Sequence, residues 1–247
     1  MKQLNFKLSK RLIDVANFLP TGATFADIGS DHAYLPCYVC SHDPTATAIA
    51  GEVNQGPFDS AQANVRLHGL AGRITVRLGD GLDVVREADD IQQVVIAGMG
   101  GGLIKQILSD GKDKLDTVNR MILQPNVDAR KVRIWLHQEG FLLTEERIME
   151  ENGHIYEILV ADREGSDPYK DEIMDKQFLL GPYLLKDKSP VFYKKWRKEA
   201  DKLSLIITQM EQANNPDLKR INQFKRELIW MEEELVHEQK NHSKNNF

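Results

Sequence analysis

The residues Phe25-Ala-Asp-Ile-Gly-Ser-Asp-His-Ala-Tyr-Leu-Pro36 read as a strand that enters a tight glycine turn and continues into a helix. The apolar run over 24–28 carries a carboxylate, Asp27, near its end. Gly29 follows where the backbone must turn sharply or come close to a ligand. A carboxylate at a strand end beside a glycine turn suits a ligand with a cationic amino-acid end. Asp27 accepts a hydrogen bond from it, directly or through water, and Asp31 adds negative charge. No G-x-G-x-x-G is present, which counts against a pyrophosphate-bearing dinucleotide. On its own, Asp27-Ile-Gly also reads as a plain strand-to-turn transition.

Outward from this stretch the same pattern repeats. Residues 46–50, 73–78, 93–97 and 120–123 are apolar runs rich in Ile, Val and Leu and bounded by Gly, Asp or Pro. Strands of a parallel sheet read this way when both faces are covered. Helical segments lie between them at 57–68, 103–108 and 128–139, with Asp128 as N-cap of the last and Gly140 as its terminating glycine. The alternation predicts a parallel sheet with right-handed crossovers. Residues 141–149 and 154–161, joined by Glu150-Glu-Asn-Gly153, predict an antiparallel hairpin. A parallel sheet finished by such a hairpin marks the methyltransferase form of the Rossmann-like fold. From about residue 170 the pattern is wholly helical. Phe192, Trp196, Leu203, Ile206 and Met210 recur at helical spacing, Asn214-Asn-Pro216 makes a turn, and Ile221, Phe224, Leu228, Met231 and Leu235 follow in a heptad-like series. The expected architecture is a Rossmann-like class I methyltransferase α/β domain over 1–165, followed by a C-terminal antiparallel helical hairpin, close to a coiled coil, over 166–247.

Composition bounds the function classes. Hydrophobic content of 41% and charged content of 28% are those of a globular protein, so disorder is not expected. No apolar run approaches the roughly 20 residues that span a bilayer, and no secretory signal opens the chain, so the expected compartment is the cytoplasm. Cys37 and Cys40 have CxxC spacing, but no second cysteine pair completes a zinc site, and they read as helix packing. His42, His68, His137 and His154 have no metal-ligand spacing, and no metal is expected. The net charge of −5 argues against a uniformly basic nucleic-acid binder. Residues 1–160 hold 16 basic against 21 acidic side chains, and residues 161–247 hold 16 of each. Two basic islands interrupt this balance. One is Lys2, Lys7, Lys10 and Arg11; the other is Lys186, Lys188, Lys194, Lys195, Arg197, Lys198 and Lys202. Such islands meet phosphates or form a solvated helix face.

Three further strand ends carry chemistry. Glu52 ends the second strand, where an acid binds both hydroxyls of a ribose, a role that fits a nicotinamide cofactor equally well. Asp80 and Gly81, in Leu78-Gly-Asp-Gly-Leu82, can read the edge of an adenine or make an ordinary turn. Val95-Ile-Ala-Gly-Met-Gly-Gly-Gly102 places a Gly-rich loop after the fourth strand, where a phosphate or a flat base can approach. Acids after three successive strands and glycines after the fourth make a stronger signal together than any one does alone.

With these pieces in order, the chain resembles the bacterial tRNA (adenine(22)-N1)-methyltransferase family. The matching residues are Leu8-Ser-Lys-Arg-Leu12, Asp27-Ile-Gly-Ser-Asp-His-Ala-Tyr-Leu-Pro36, Gly51-Glu-Val-Asn-Gln-Gly-Pro57, Gly79-Asp-Gly-Leu82, Ile96-Ala-Gly-Met-Gly-Gly101 and Leu123-Gln-Pro-Asn126. The resemblance implies S-adenosylmethionine as cofactor and tRNA as partner. It places Asp27, Gly29, Ser30, Asp31 and His32 at the methionine end, Glu52 and Val53 at the ribose and adenine, Asp80 and Gly81 on the adenine, and Gly98, Met99 and Gly100 beside the sulfonium and target base. Where Gly98-Met-Gly-Gly stands, DNA adenine N6-methylases carry an Asn/Asp-Pro-Pro-aromatic loop, which disfavours exocyclic amino chemistry here. Ring N1 has an in-plane lone pair, so no general base is obligatory, and catalysis is expected by proximity and alignment. Flipping the base exposes N1. Arg11, Asp31, Gln124 and Asn126 are candidates to touch the target base, and Lys7, Lys10, Arg11, Lys194, Lys195, Arg197 and Lys198 to touch RNA. Alternative readings are a methyltransferase for another RNA or a small molecule, and a non-catalytic RNA-binding protein that keeps the cofactor fold; a nicotinamide dehydrogenase is more distant. A monomer fits the sequence.

Overall fold

A computed structural model describes residues 8–244; Lys2 and Lys7 of the first basic island lie outside the described residues. The chain divides into two compact units, Met1–Pro168 and Tyr169–Phe247.

In the first unit, strands β1 (Thr24–Ile28), β2 (Thr47–Glu52), β3 (Ile74–Leu78), β4 (Gln93–Gly100), β5 (Arg120–Val127), β6 (Leu142–Glu151) and β7 (His154–Asp162) form one seven-stranded sheet in the order β3-β2-β1-β4-β5-β7-β6. The first five strands run parallel, and β7 is antiparallel to both β5 and β6. Helices α1 (Lys10–Asn17), α2 (Tyr34–His42), α3 (Gln55–Leu67), α4 (Gly101–Asp110) and α5 (Ala129–Gln138) accompany it. The inner strands β1, β4 and β5 bury Phe25, Ala26, Val94, Val95, Ile96, Met121, Ile122 and Leu123, which is why they read as continuous apolar runs rather than as alternation. Strand order reverses between β1 and β4, and in open α/β sheets ligands bind beyond the carboxyl ends of the strands at such a switch point.

The local chemistry explains the boundaries. Ser9 accepts the N–H of Leu12 at 3.2 Å and starts α1, a cap worth about 1 kcal/mol. At the end of α5, Phe141 N–H donates to Leu136 C=O at 2.9 Å and Gly140 takes φ +72°, the left-handed stop expected of that glycine. Asn152 and Gly153, at φ +52° and +79°, turn the hairpin. Asp128 differs from expectation: it stands at the N-cap of α5 but in a left-handed conformation with no capping bond. Its carboxylate instead pairs with Lys131 Nζ at 2.7 Å. The two cysteines are buried in α2, and burial pushes their thiols up to about 12 for Cys37 and about 11 for Cys40. They are inert packing groups. Among the described residues, no cluster of His, Cys, Asp or Glu is arranged to hold a metal ion, and no helix is long and apolar enough to cross a membrane.

The second unit holds α6 (Met174–Leu180), α7 (Leu184–Asp187), α8 (Pro190–Glu211) and α9 (Leu218–Lys244). Ser189 caps α8 by accepting Phe192 N–H at 3.3 Å, with Pro190 in the first turn. Asp217 opens α9 by accepting Arg220 N–H at 3.0 Å, just past the Asn-Asn-Pro turn. The two long helices pack on each other through Phe192, Trp196, Leu203 and Ile207 of α8 and Ile221 and Met231 of α9. Ile206, expected in this seam, is 42% exposed, and its neighbour Ile207 takes the buried place at 6%. Helix α9 also buries a carboxylate. Glu234 is buried, and Lys176 (2.7 Å) and Lys188 (2.6 Å) hold it ionised, outweighing the burial that would raise its pKa.

Candidate active site

Two groups of residues meet at the carboxyl edge of the sheet. The first belongs to β1, β2 and the turns after them. Asp27 pairs in register with Ala50 of β2 and Val95 of β4, so its carboxylate lies at the switch point. It is buried and accepts the Ser30 hydroxyl at 2.5 Å. Burial pushes its pKa from 3.8 to about 7; the Ser30 bond pulls downward, and the charges of Glu52 and Asp31 add to the rise. Glu52 is also buried and accepts the His32 backbone N–H at 3.0 Å. Its pKa is raised too, by burial first, with the His32 bond opposing.

The turn between them is strained. Gly29, Asp31, His32 and Ala33 all have positive φ, from +48° to +69°, and for the three non-glycine residues that conformation is uncommon. Hydrogen bonds to its backbone hold it: Gly29 and Ser30 N–H both donate to Gly51 C=O, at 3.0 and 3.1 Å, and Asn64 Nδ2 donates to His32 C=O at 2.9 Å. A Cβ on Gly29 would collide with the end of Met99. Thus Met99 lies directly over the turn, and only glycine leaves it room. Asp31 points outward with its side chain 83% exposed and its carboxylate 3.5 Å from His32 Nε2. Val53 is exposed just past Glu52. Asp80 and Gly81 line an open recess of about 200 Å³ together with Leu103 and Ile107 of α4.

The second group is built around Gly98. The expected Gly-rich loop is instead the end of β4, bulged: its register on β5 shifts between Ala97 and Met99, and Gly98 has φ +81°. Pro125 of β5 has no N–H to give the ladder at this point. Side-chain amides replace the missing bonds. Gln124 Oε1 accepts Gly98 N–H at 3.0 Å, Gln124 Nε2 donates to Asn126 Oδ1 at 3.2 Å, and Asn126 Nδ2 donates to Gly98 C=O at 2.7 Å. Gln124 is 0% exposed and also accepts a hydrogen bond from Arg11 Nη1. The arginine's guanidinium lies 5.1 Å from the centroid of the Tyr156 ring. The structure therefore brings Arg11, Gln124 and Asn126 together on Gly98, while Asp31, on the turn after β1, lies beside His32. Glu151 and Tyr156, which seat Arg11, were not singled out in the sequence.

The RNA candidates of the second unit lie early on α8. Lys194, Arg197 and Lys198 are exposed, Arg197 pairs with Glu238 of α9, and Lys195 Nζ lies 4.7 Å from the Trp196 ring centroid. Lys10 is exposed at the start of α1.

Comparison with known proteins gives the family. The sequence profile of the family described as tRNA (adenine(22)-N(1))-methyltransferase matches residues 25–233. The tRNA (adenine(22)-N(1))-methyltransferase of Bacillus subtilis (strain 168) is 49% identical over 208 residues, 84% of this chain and 87% of that protein. The crystal structure of the B. subtilis m1A22 tRNA methyltransferase superposes with a TM-score of 0.87 at 42% identity, over 93% of this chain and 99% of that one. A Streptococcus pneumoniae protein described as a putative tRNA (m1A22) methyltransferase, solved in complex with S-adenosyl-L-methionine, gives 0.81 at 42% identity over 92% of this chain and 99% of its own. With a profile match over most of its length and these relatives on nearly the whole fold, the chain belongs to the tRNA (adenine(22)-N(1))-methyltransferase family.

Proposed function

We propose that this protein methylates ring N1 of the adenine at position 22 of tRNA, with S-adenosylmethionine as methyl donor. The observation that carries the reading is the pair of buried carboxylates, Asp27 and Glu52, at the ends of adjacent strands on either side of a glycine turn. That donor set fits the cofactor: one carboxylate for a cationic amino-acid end, one for a ribose diol, and a turn with no side chain to obstruct the approach. Bound there, S-adenosylmethionine supplies the methyl group as an activated sulfonium.

The chain's own residues then bind and orient. Asp27, with Ser30 beside it, holds the amino-acid end, while Gly29, Asp31 and His32 shape the wall around it. Glu52 holds the ribose; Val53, Asp80 and Gly81 flank the adenine. Gly98, Met99 and Gly100 border the reacting centre, with Met99 keeping water off the Gly29 turn. The target N1 brings its own lone pair, so no side chain has to remove a proton in the transfer, and rate comes from alignment. Arg11 and Asn126 face the RNA, Gln124 sets their geometry, and Lys7, Lys10, Lys194, Lys195, Arg197 and Lys198 contribute phosphate contacts. The two units serve as a catalytic domain and an RNA-binding helical domain of a monomeric, metal-independent cytoplasmic enzyme.

Incubating the protein with unmodified tRNA and labelled cofactor, then mapping the modified nucleotide, tests this directly. The label should appear on N1 of adenine 22, and Glu52→Ala should weaken cofactor binding by about 10- to 100-fold, the worth of a charge-assisted contact. Label on another RNA position, or on a small molecule only, would replace the substrate assignment while leaving the cofactor site in place.

A further inference from the structure

Several arginines in the first unit meet carboxylates. Arg77 pairs with Asp89, Arg120 with Asp162, Arg133 with Glu146 and Glu157, and Arg147 with Asp14. Arg11 does not. Among the described residues no carboxylate lies within ion-pair distance of its guanidinium, although residues 1–160 carry an excess of acids. Its partners are neutral: the Gln124 carbonyl accepts from Nη1, and Tyr156 offers a ring face.

The backbone below it is fixed as firmly. The Glu151 carboxylate accepts Lys10 N–H at 2.8 Å and Arg11 N–H at 3.2 Å, and Arg147 pairs with Asp14 of the same helix at 3.1 Å. An arginine whose backbone is tied to a carboxylate but whose partly exposed guanidinium has only neutral partners is organised for an anion from outside. Its position says which side of the site that anion comes from. Asp27, Glu52 and Asp80 lie at the ends of β1, β2 and β3, whereas Gln124 and Tyr156 lie on β5 and β7, across the switch point. Gly98 stands between the two sets, and a Cβ on it would lie 3.7 Å from Arg11 Nη1.

We propose that Arg11, held by Gln124 and Tyr156 rather than by a carboxylate, is the seat of the RNA phosphodiester flanking the target adenosine. The proposal rests on the RNA-methylating function given above. A neutral holder keeps the full charge available, and the remaining guanidinium N–H groups present the fork that suits a phosphate. Fixing the phosphate beside Gly98 would fix the sugar of the flipped nucleotide and so the approach of its base.

Titration of full-length protein with tRNA, wild type against Arg11→Ala, tests the idea when combined with tRNA carrying an uncharged methylphosphonate at either phosphodiester flanking the target. Arg11→Ala should weaken tRNA binding by about 10- to 100-fold. One of the two methylphosphonates should reproduce that loss in the wild type and add nothing in the variant. Gln124→Glu, which hands Arg11 a carboxylate, should weaken binding in the same way, with S-adenosylmethionine affinity unchanged in both variants. Wild-type tRNA affinity in Arg11→Ala would overturn the proposal. So would losses that multiply with Arg11→Ala at both phosphate positions, or a fall in cofactor affinity, which would assign Arg11 to the cofactor's carboxylate. Should Arg11→Ala not fold, Arg11→Gln keeps much of the stem without the charge and carries the same cycle. A wild type that leaves adenine N1 unmethylated would instead sink the underlying function, before any variant is made.

Discussion

At the scale of single residues, the candidate site holds buried groups that are costly to the fold. Asp27 is the clearest. Its folded carboxyl keeps a proton up to about pH 7, whereas the unfolded one loses it near 3.8. The folded state therefore binds more protons between those values, and the group's contribution to stability falls as pH rises through that window. Above pH 7 the whole penalty of a buried carboxylate is present. Asp27→Asn should melt higher than wild type at pH 8 and show no such gain at pH 4. A cationic amino-acid end needs the ionised form, so wild-type cofactor affinity should fall as pH drops from 8 to 6, with proton release on binding at the low end. Asp27→Asn should bind weakly and without that dependence. Calorimetry in buffers of different ionisation enthalpy reads both, and a flat wild-type profile would sink the assignment of Asp27 to the cationic end. The place of Asp27 at the end of β1 was legible because its signal is local, an acid at a strand end beside a glycine. Glu151 and Tyr156 carried no such signal. They come to Arg11 only through the β6–β7 register, which pairs Glu151 with His154 and Met149 with Tyr156 and so puts all four on one face.

At the scale of elements, runs with one dominant cause were readable and those with competing causes were not. The inner strands are covered on both faces, and apolar content alone marks them. The end of β4 defeated that rule: Gly98-Met-Gly reads as loop because glycine disfavours strands. It pairs nonetheless: Asn126 Nδ2 donates to Gly98 C=O where Pro125 has no N–H to give, and Gln124 Oε1 accepts the Gly98 N–H. Short α6 and α7 escaped notice because seven and four residues give too few turns for a period to show. Another feature invisible in sequence is the triad of Arg133 on α5 with Glu146 on β6 and Glu157 on β7, all buried, with contacts of 2.5–2.6 Å. It ties a helix to the hairpin that positions Tyr156. Removing the cation takes its charge from beside two buried carboxylates. Arg133→Met should therefore destabilise the protein by about 3–5 kcal/mol at pH 7. Urea unfolding decides it; a wild-type midpoint would mean the triad is not what holds the hairpin.

At the scale of the whole molecule, the question is how a chain of net charge −5 holds a polyanion. Sequence counting gave a C-terminal island of seven cations, but the fold divides their work. Lys188 neutralises the buried Glu234, so it belongs to the helical core rather than to a binding surface. Arg197 is paired with Glu238, so neutralising it removes one half of an ion pair. Lys194 and Lys198 stand exposed on α8, a turn apart on the same side of the helix. Phosphate contacts release counterions, so each one lost should lower the slope of log K against log salt by about 0.7–0.9. Replacing Lys194, Lys195, Arg197 and Lys198 together by neutral residues should weaken tRNA binding and flatten the slope by less than four contacts' worth, because Arg197 is already spoken for. Arg197→Gln alone should move the slope less than Lys198→Gln. Cofactor affinity should not change in any of them. Titrations of each variant from low to moderate salt provide the comparison. A fourfold variant with wild-type affinity and slope would reduce these cations to a solvated helix face, and the whole burden of holding tRNA would then fall on the N-terminal island around Arg11.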